Sequence, residues 1–155
     1  MEQEEIKKIE AKKRTLKRYK KNVRKLTRLE EKLYTLEERI ESVRSPRLTD
    51  MPRGGTPVTL LDLLADKEDL EERIGRQKEI NRGLKKDIER ELDNLEDVRH
   101  VEVLEAFFID GLTPEDIADR LCYSVRTVYR LYSEGVTELA LNCHNNDITK
   151  INGKV

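Results

Sequence analysis

Two arginines one helical turn apart, Arg126 and Arg130, stand in the segment LTPEDIADRLCYSVRTVYRLYS between Leu112 and Ser133. On a helix they share a face with Tyr129, and Ser124 and Thr127 sit at its start. A guanidinium donates in pairs to the N7 and O6 edge of guanine, or to a phosphate. Serine and threonine hydroxyls donate or accept at either target. The chemistry on offer is hydrogen-bonded recognition of a polyanion, with no covalent step. Elsewhere the chain has no phosphate loop and no nucleophile beside a base. His100 falls at a helix start and is expected at the surface or in a cap, and His144 has no catalytic neighbour in sequence. The expectation is therefore a protein that is not an enzyme. Cys122 and Cys143 are the 2 cysteines. Both are expected to be free thiols, and Cys143–His144 lacks further ligands at metal-site spacing. No metal and no cofactor is expected.

The residues around the arginines specify what must hold them. Thr113 can cap a helix through its hydroxyl. Pro114 follows at the first helical position, and Glu115 and Asp116 suit the positive end of the dipole. Ile117, Ala118 and Leu121 form the apolar face of this helix, which ends near Cys122–Tyr123. Ser124 caps a second helix, whose buried face is predicted to be Val125, Val128, Leu131 and Tyr132. Ala118 is small where the two helices cross. The pattern is a helix-turn-helix with residues 124–133 as the recognition helix, its Ser124, Arg126, Thr127, Tyr129 and Arg130 side outward for a major groove. The alternative is an ordinary helical hairpin with arginines on its solvent face. Many such turns carry glycine at the first turn position; here it is Cys122, which leaves a longer or differently shaped turn open.

The rest of the chain reads as long exposed helices. Of its 155 residues 41% are charged and 5% aromatic, with no tryptophan, too few core builders for an ordinary globule of that length. Residues 4–43 contain neither Gly nor Pro. Leu16, Tyr19, Val23, Leu26, Leu29, Leu33, Leu36, Ile40 and Val43 recur at spacings of three and four, a coiled-coil seam with a stammer at Val23–Leu26–Leu29. The loop 45–57 carries three prolines and two glycines. A second helix is predicted over 59–95, with Leu63, Leu64, Leu70, Ile74, Ile80, Leu84, Ile88, Leu92 and Leu95 as its stripe. Gly75 and Gly83 weaken it, marking either slack or the close approach of another helix. A further helix, 98–109, packs Val101, Leu104, Phe107 and Phe108 under the helix-turn-helix.

The predicted fold is all-α: a long antiparallel, coiled-coil-like helical hairpin followed by a small C-terminal helix-turn-helix domain. Residues 1–96 form the hairpin and oligomerisation region, 97–141 the DNA-binding domain, and 142–155 a flexible tail. No segment is apolar enough to span a bilayer and the N-terminus is no signal peptide, so a cytoplasmic protein is expected.

Net charge is −1, yet its distribution is uneven. From Lys7 to Arg28 nearly every solvent-facing position is basic, opposed only by Glu10. Lys12, Lys13, Arg14, Lys17, Arg18 and Lys21 are candidate phosphate contacts, as is Arg53 beside the loop glycines. The second helix is rich in acids at both ends, so charge matching within the hairpin is an equal alternative. A basic stretch before a leucine seam also suggests a basic leucine zipper, but the heptad is short and broken.

The loop S-P-x-x-T-D-M-P-R-G-G and the segment GLTPEDIADRLCYSVRTVYRLYSEGVTEL together resemble the small phage regulators of the RinA/ArpU type, over about Tyr19 to Leu141. Their C-terminal unit is similar to region four of sigma-70 factors. The resemblance implies an activator of late phage or prophage genes in a Gram-positive host, acting in the host cytoplasm on double-stranded DNA and in contact with host RNA polymerase. Arg126, Thr127 and Arg130 would then read a promoter-proximal element. A homodimer is favoured on symmetry grounds. The competing reading is a packaging-recognition protein like a small terminase subunit, or another structural oligomer.

Overall fold

The computed structural model describes the backbone of residues 1–44 and 59–152 and the side chains of 1–44 and 59–141. Among the described residues there are five helices and no strand: α1 (Glu2–Arg44), α2 (Leu60–Leu92), α3 (Val98–Phe108), α4 (Pro114–Leu121) and α5 (Val125–Asn152). The all-α hairpin followed by a helix-turn-helix is the architecture expected. The loop 45–57, with Arg53, lies outside the described residues. No helix among them is long and apolar enough to cross a membrane.

Local chemistry accounts for the boundaries. Glu2, Glu4 and Glu5 fall in the first turn of α1 and Arg44 in its last, matching both ends of its dipole. Thr59 caps α2, its hydroxyl accepting from the Asp62 N–H at 3.2 Å. The helix stops at Leu92, three residues earlier than predicted, because the chain turns through Asp93 and Asn94, with the Asn94 N–H donating to the Glu91 carbonyl at 3.2 Å. Leu95 is still buried beyond the turn. At the other end of the chain α5 runs unbroken for 28 residues, so the backbone as far as Asn152 is helical where a flexible tail was expected. No proline or capping sequence interrupts it.

The helices divide into two compact units. One is Asn22–Asn81; the other joins Met1–Lys21 to the chain from Arg82 onward. The expected boundary at 96–97 falls inside the second of these, because one core there draws on both sides of it. That core is Leu16, Ile88, Leu92 and Leu95 with Leu104, Phe108, Val136 and Leu139.

In the Asn22–Asn81 unit, α1 and α2 run antiparallel: Leu29 packs with Leu70 and Ile74, and Lys67 reaches Glu37 at 3.6 Å. The seam differs from the predicted one at three places. Val23 and Val43 are exposed on α1, and Ile80 on α2. The places of Val23 and Ile80 are taken by amides: the Gln77 side-chain N–H donates to Asn22 Oδ1 at 3.0 Å and to Asn81 Oδ1 at 2.8 Å. Asn81 Nδ2 in turn donates to the Asn22 carbonyl at 3.3 Å. Gln77 and Asn81 are buried, and their mutual bonds offset the cost of desolvating the amides. With Asn22 in the seam, the steps from Asn22 through Leu26, Leu29, Leu33, Leu36 and Ile40 alternate four and three, and the double three-residue step falls one place earlier, at Leu16–Tyr19–Asn22. Gly75 and, in the other unit, Gly83 have open space around them, so neither marks a helix crossing among the described residues.

Candidate nucleic-acid interface

The caps form as the sequence dictates. Thr113 Oγ1 accepts from the Asp116 N–H at 3.2 Å and donates to the Asp116 carboxylate at 2.9 Å, a reciprocal closure of the first turn of α4. Pro114 is its first residue. At the far end Cys122 adopts a left-handed conformation, φ 59° and ψ 41°. The turn therefore keeps the geometry that glycine usually supplies, at the steric cost of a Cβ in that region. The Tyr123 N–H closes the turn on the Ala118 carbonyl at 3.0 Å. Ser124 then caps α5: its Oγ accepts from the Thr127 N–H at 3.2 Å and lies 2.8 Å from Thr127 Oγ1.

Packing fixes which side of α5 faces out. Val103, Ala106, Ile117, Ala118, Val128 and Leu131 make one buried cluster, with Phe107, Leu121, Tyr123 and Tyr132 at its margin. The rings of Phe107 and Tyr132 meet edge on, 4.9 Å between centroids. Burial raises the Tyr132 phenol above its ordinary pKa, helped by the negative charge of Glu10. Val125, predicted to be buried, is exposed. It is the first residue of α5 and lies ahead of the turn that meets α4.

Behind this cluster α3 crosses α5 closely. A Cβ at Gly135 would lie 2.9 Å from Leu104 Cδ1 and 3.3 Å from His100 Cβ. His100 is buried here, against the expectation of a surface or capping residue; the cap of α3 is Asp97, which accepts from the Arg99 N–H at 2.9 Å. The His100 ring nitrogens face carboxylates on α5, Nδ1 to Glu138 at 3.2 Å and Nε2 to Glu134 at 3.1 Å. Only the imidazolium can donate to both at once. Nothing local in sequence announces this arrangement, because the partners lie 34 and 38 residues away. The glycine within a helix was the one available signal.

Of the predicted site residues, Ser124, Arg126, Tyr129 and Arg130 are exposed and Thr127 is half-buried. Arg126 makes no ion pair among the described residues. Arg130 Nε stands 3.9 Å from Glu134 Oε1, a weak surface pair that a stronger anion would displace. The hydroxyls of Ser124 and Thr127 are engaged with each other in the cap. The outward donors are thus two guanidiniums with a phenol between them.

The predicted phosphate contacts on α1 divide. Lys12 is buried and ion-paired with Glu91, which removes it from the candidates. Its place on the inward seam, between Ile9 and Leu16, is the cause. Lys13 pairs with Glu10 at 3.3 Å. Arg14, Lys17, Arg18 and Lys21 are exposed, Arg18 with an interaction of its own. Lys20 instead lies over the Phe107 ring, 5.1 Å from its centroid.

No curated protein and no solved structure matches the chain significantly. One family does, over residues 45–140, which takes in the loop and α2 to the greater part of α5. That span is more than half of the chain, which therefore belongs to the family described as a protein of unknown function, DUF1492.

Proposed function

We propose that the protein is a sequence-specific regulator of transcription that binds double-stranded DNA with the start of α5 in the major groove. The observation that carries this reading is the outward arc of Arg126, Tyr129 and Arg130 on a helix capped by Ser124. It is set across a preceding helix whose own cap and turn are closed. Two guanidiniums one turn apart suit guanine edges and flanking phosphates. The resemblance to phage regulators makes activation of phage or prophage genes the role, exercised as a homodimer in the host cytoplasm and in contact with host RNA polymerase.

The test is binding of the purified protein to a selected operator and to its single-base variants. Arg126→Ala is expected to cost about 1–3 kcal/mol at one base position and to relax preference there. An equal loss on every sequence, selected or random, contradicts base reading by Arg126.

A further inference from the structure

The exposed cations near the start of α1 form a row that the helix-turn-helix does not account for. Lys7, Arg14 and Lys21 are spaced by seven, and Lys17 stands between the last two on the same side. All four are exposed. This side is opposite the seam of Ile9, Lys12, Leu16 and Tyr19, which packs inward. Glu10, the one acid between Lys7 and Arg28, pairs with Lys13, and Glu91 pairs with Lys12. Ion pairing among the described residues thus uses the inward and flanking lysines, and Arg14, Lys17 and Lys21 make no ion pair there.

We propose that this row is a second, sequence-independent contact to the phosphate backbone of duplex DNA. Cations on successive turns lie about 5 Å apart along a helix, within reach of consecutive phosphates for side chains of this length. Between Lys7 and Lys21 this side exposes no large apolar residue, so it lacks the anchors with which a basic helix enters a lipid surface. The inference does not rest on base reading by α5.

The experiment compares the full-length protein with a variant carrying Arg14→Gln, Lys17→Gln and Lys21→Gln. The probe is a random-sequence duplex of roughly 30 base pairs, titrated between about 50 and 200 mM salt. The log–log salt slope is expected to fall by roughly 0.9 for each side chain that contacts a phosphate, up to about 2.7 in all. The charge-conserving variant Arg14→Lys, Lys17→Arg, Lys21→Arg is expected to keep the wild-type slope. An unchanged slope in the glutamine variant overturns the proposal, as does an equal loss in the charge-conserving variant. Loss of binding to phosphatidylserine vesicles with no loss on DNA overturns it too. Because the probe carries no operator, failure of sequence-specific recognition by α5 leaves this result readable.

Discussion

The two compact units solve the same packing problem with different materials. The helix-turn-helix cluster is hydrocarbon and aromatic, with Val103, Ile117 and Leu131 wholly buried. The Asn22–Asn81 unit has two helices only, and part of its seam is a bonded triad of amides. A two-helix seam has open flanks and leaves Leu26, Leu33 and Leu36 half-buried, so it gains less per residue from hydrophobic transfer. Hydrogen bonds that form in one alignment only then have value out of proportion to their net energy. A polar group in a helical seam is the best-attested way to fix register.

The largest contrast is expected from equal truncations. Leu131→Ala should cost about 3–5 kcal/mol, the range for a fully enclosed leucine, and Leu29→Ala about 2 kcal/mol. Urea unfolding of the two variants measures both, and equal losses would remove the distinction between the cores.

The amides sharpen it. Asn81→Leu alone should destabilise by about 1–2 kcal/mol, since it leaves Gln77 short of a partner. Replacing Asn22, Gln77 and Asn81 together by leucine should be neutral or stabilising, with loss of the single alignment. Cysteine cross-linking between α1 and α2 would detect the slipped registers. A triple variant with one register and lower stability would assign the amides an energetic role instead.

Glycine preferences should also be opposite at two positions, one in each unit. Gly75→Ala has room and should stabilise by about 0.5–1 kcal/mol. Cys122→Gly should stabilise by a similar amount, because the left-handed turn no longer carries a Cβ. Thermal unfolding resolves either change.

The smallest effect is confined to the start of α3. The Arg99 guanidinium, with its backbone N–H, lowers the Asp97 carboxyl from 3.8 to about 2. A depressed carboxylate stabilises the fold above its unfolded pKa and loses that contribution as pH falls through the folded one. The Asp97 cap is therefore complete above about pH 4 and lost as pH falls towards about 2. NMR titration of the Asp97 side chain measures the shift, and Arg99→Ala should move it back towards 3.8.

The parts of this architecture legible in sequence are those set by neighbours in the chain. Thr113, Pro114 and Ser124 act within three residues of themselves, so both caps of the helix-turn-helix could be read directly. The seam was read by polarity where it is governed by period. Extending the alternation of Ile40, Leu36, Leu33, Leu29 and Leu26 by one more step of four lands on Asn22, not on Val23. The same argument carries Gln77 and Asn81 inward past Ile80, and Lys12 inward between Ile9 and Leu16. Gly135 within a helix was the one cue to the burial of His100, and it names no partner. Their environment is made by α3 meeting α5, and no local pattern encodes which residues meet there.

The tight crossing at Gly135 is also a fulcrum. Arg126 stands nine residues up the same rod, about 13 Å away, so a tilt of about 5° at the crossing swings that arginine through roughly 1 Å. Under the proposed reading, a displacement of that size is enough to take a guanidinium out of hydrogen-bond range of a base edge. Substitutions at Leu104 or His100 on α3, neither of which faces outward, would then retune operator choice by steering the helix instead of altering what it touches.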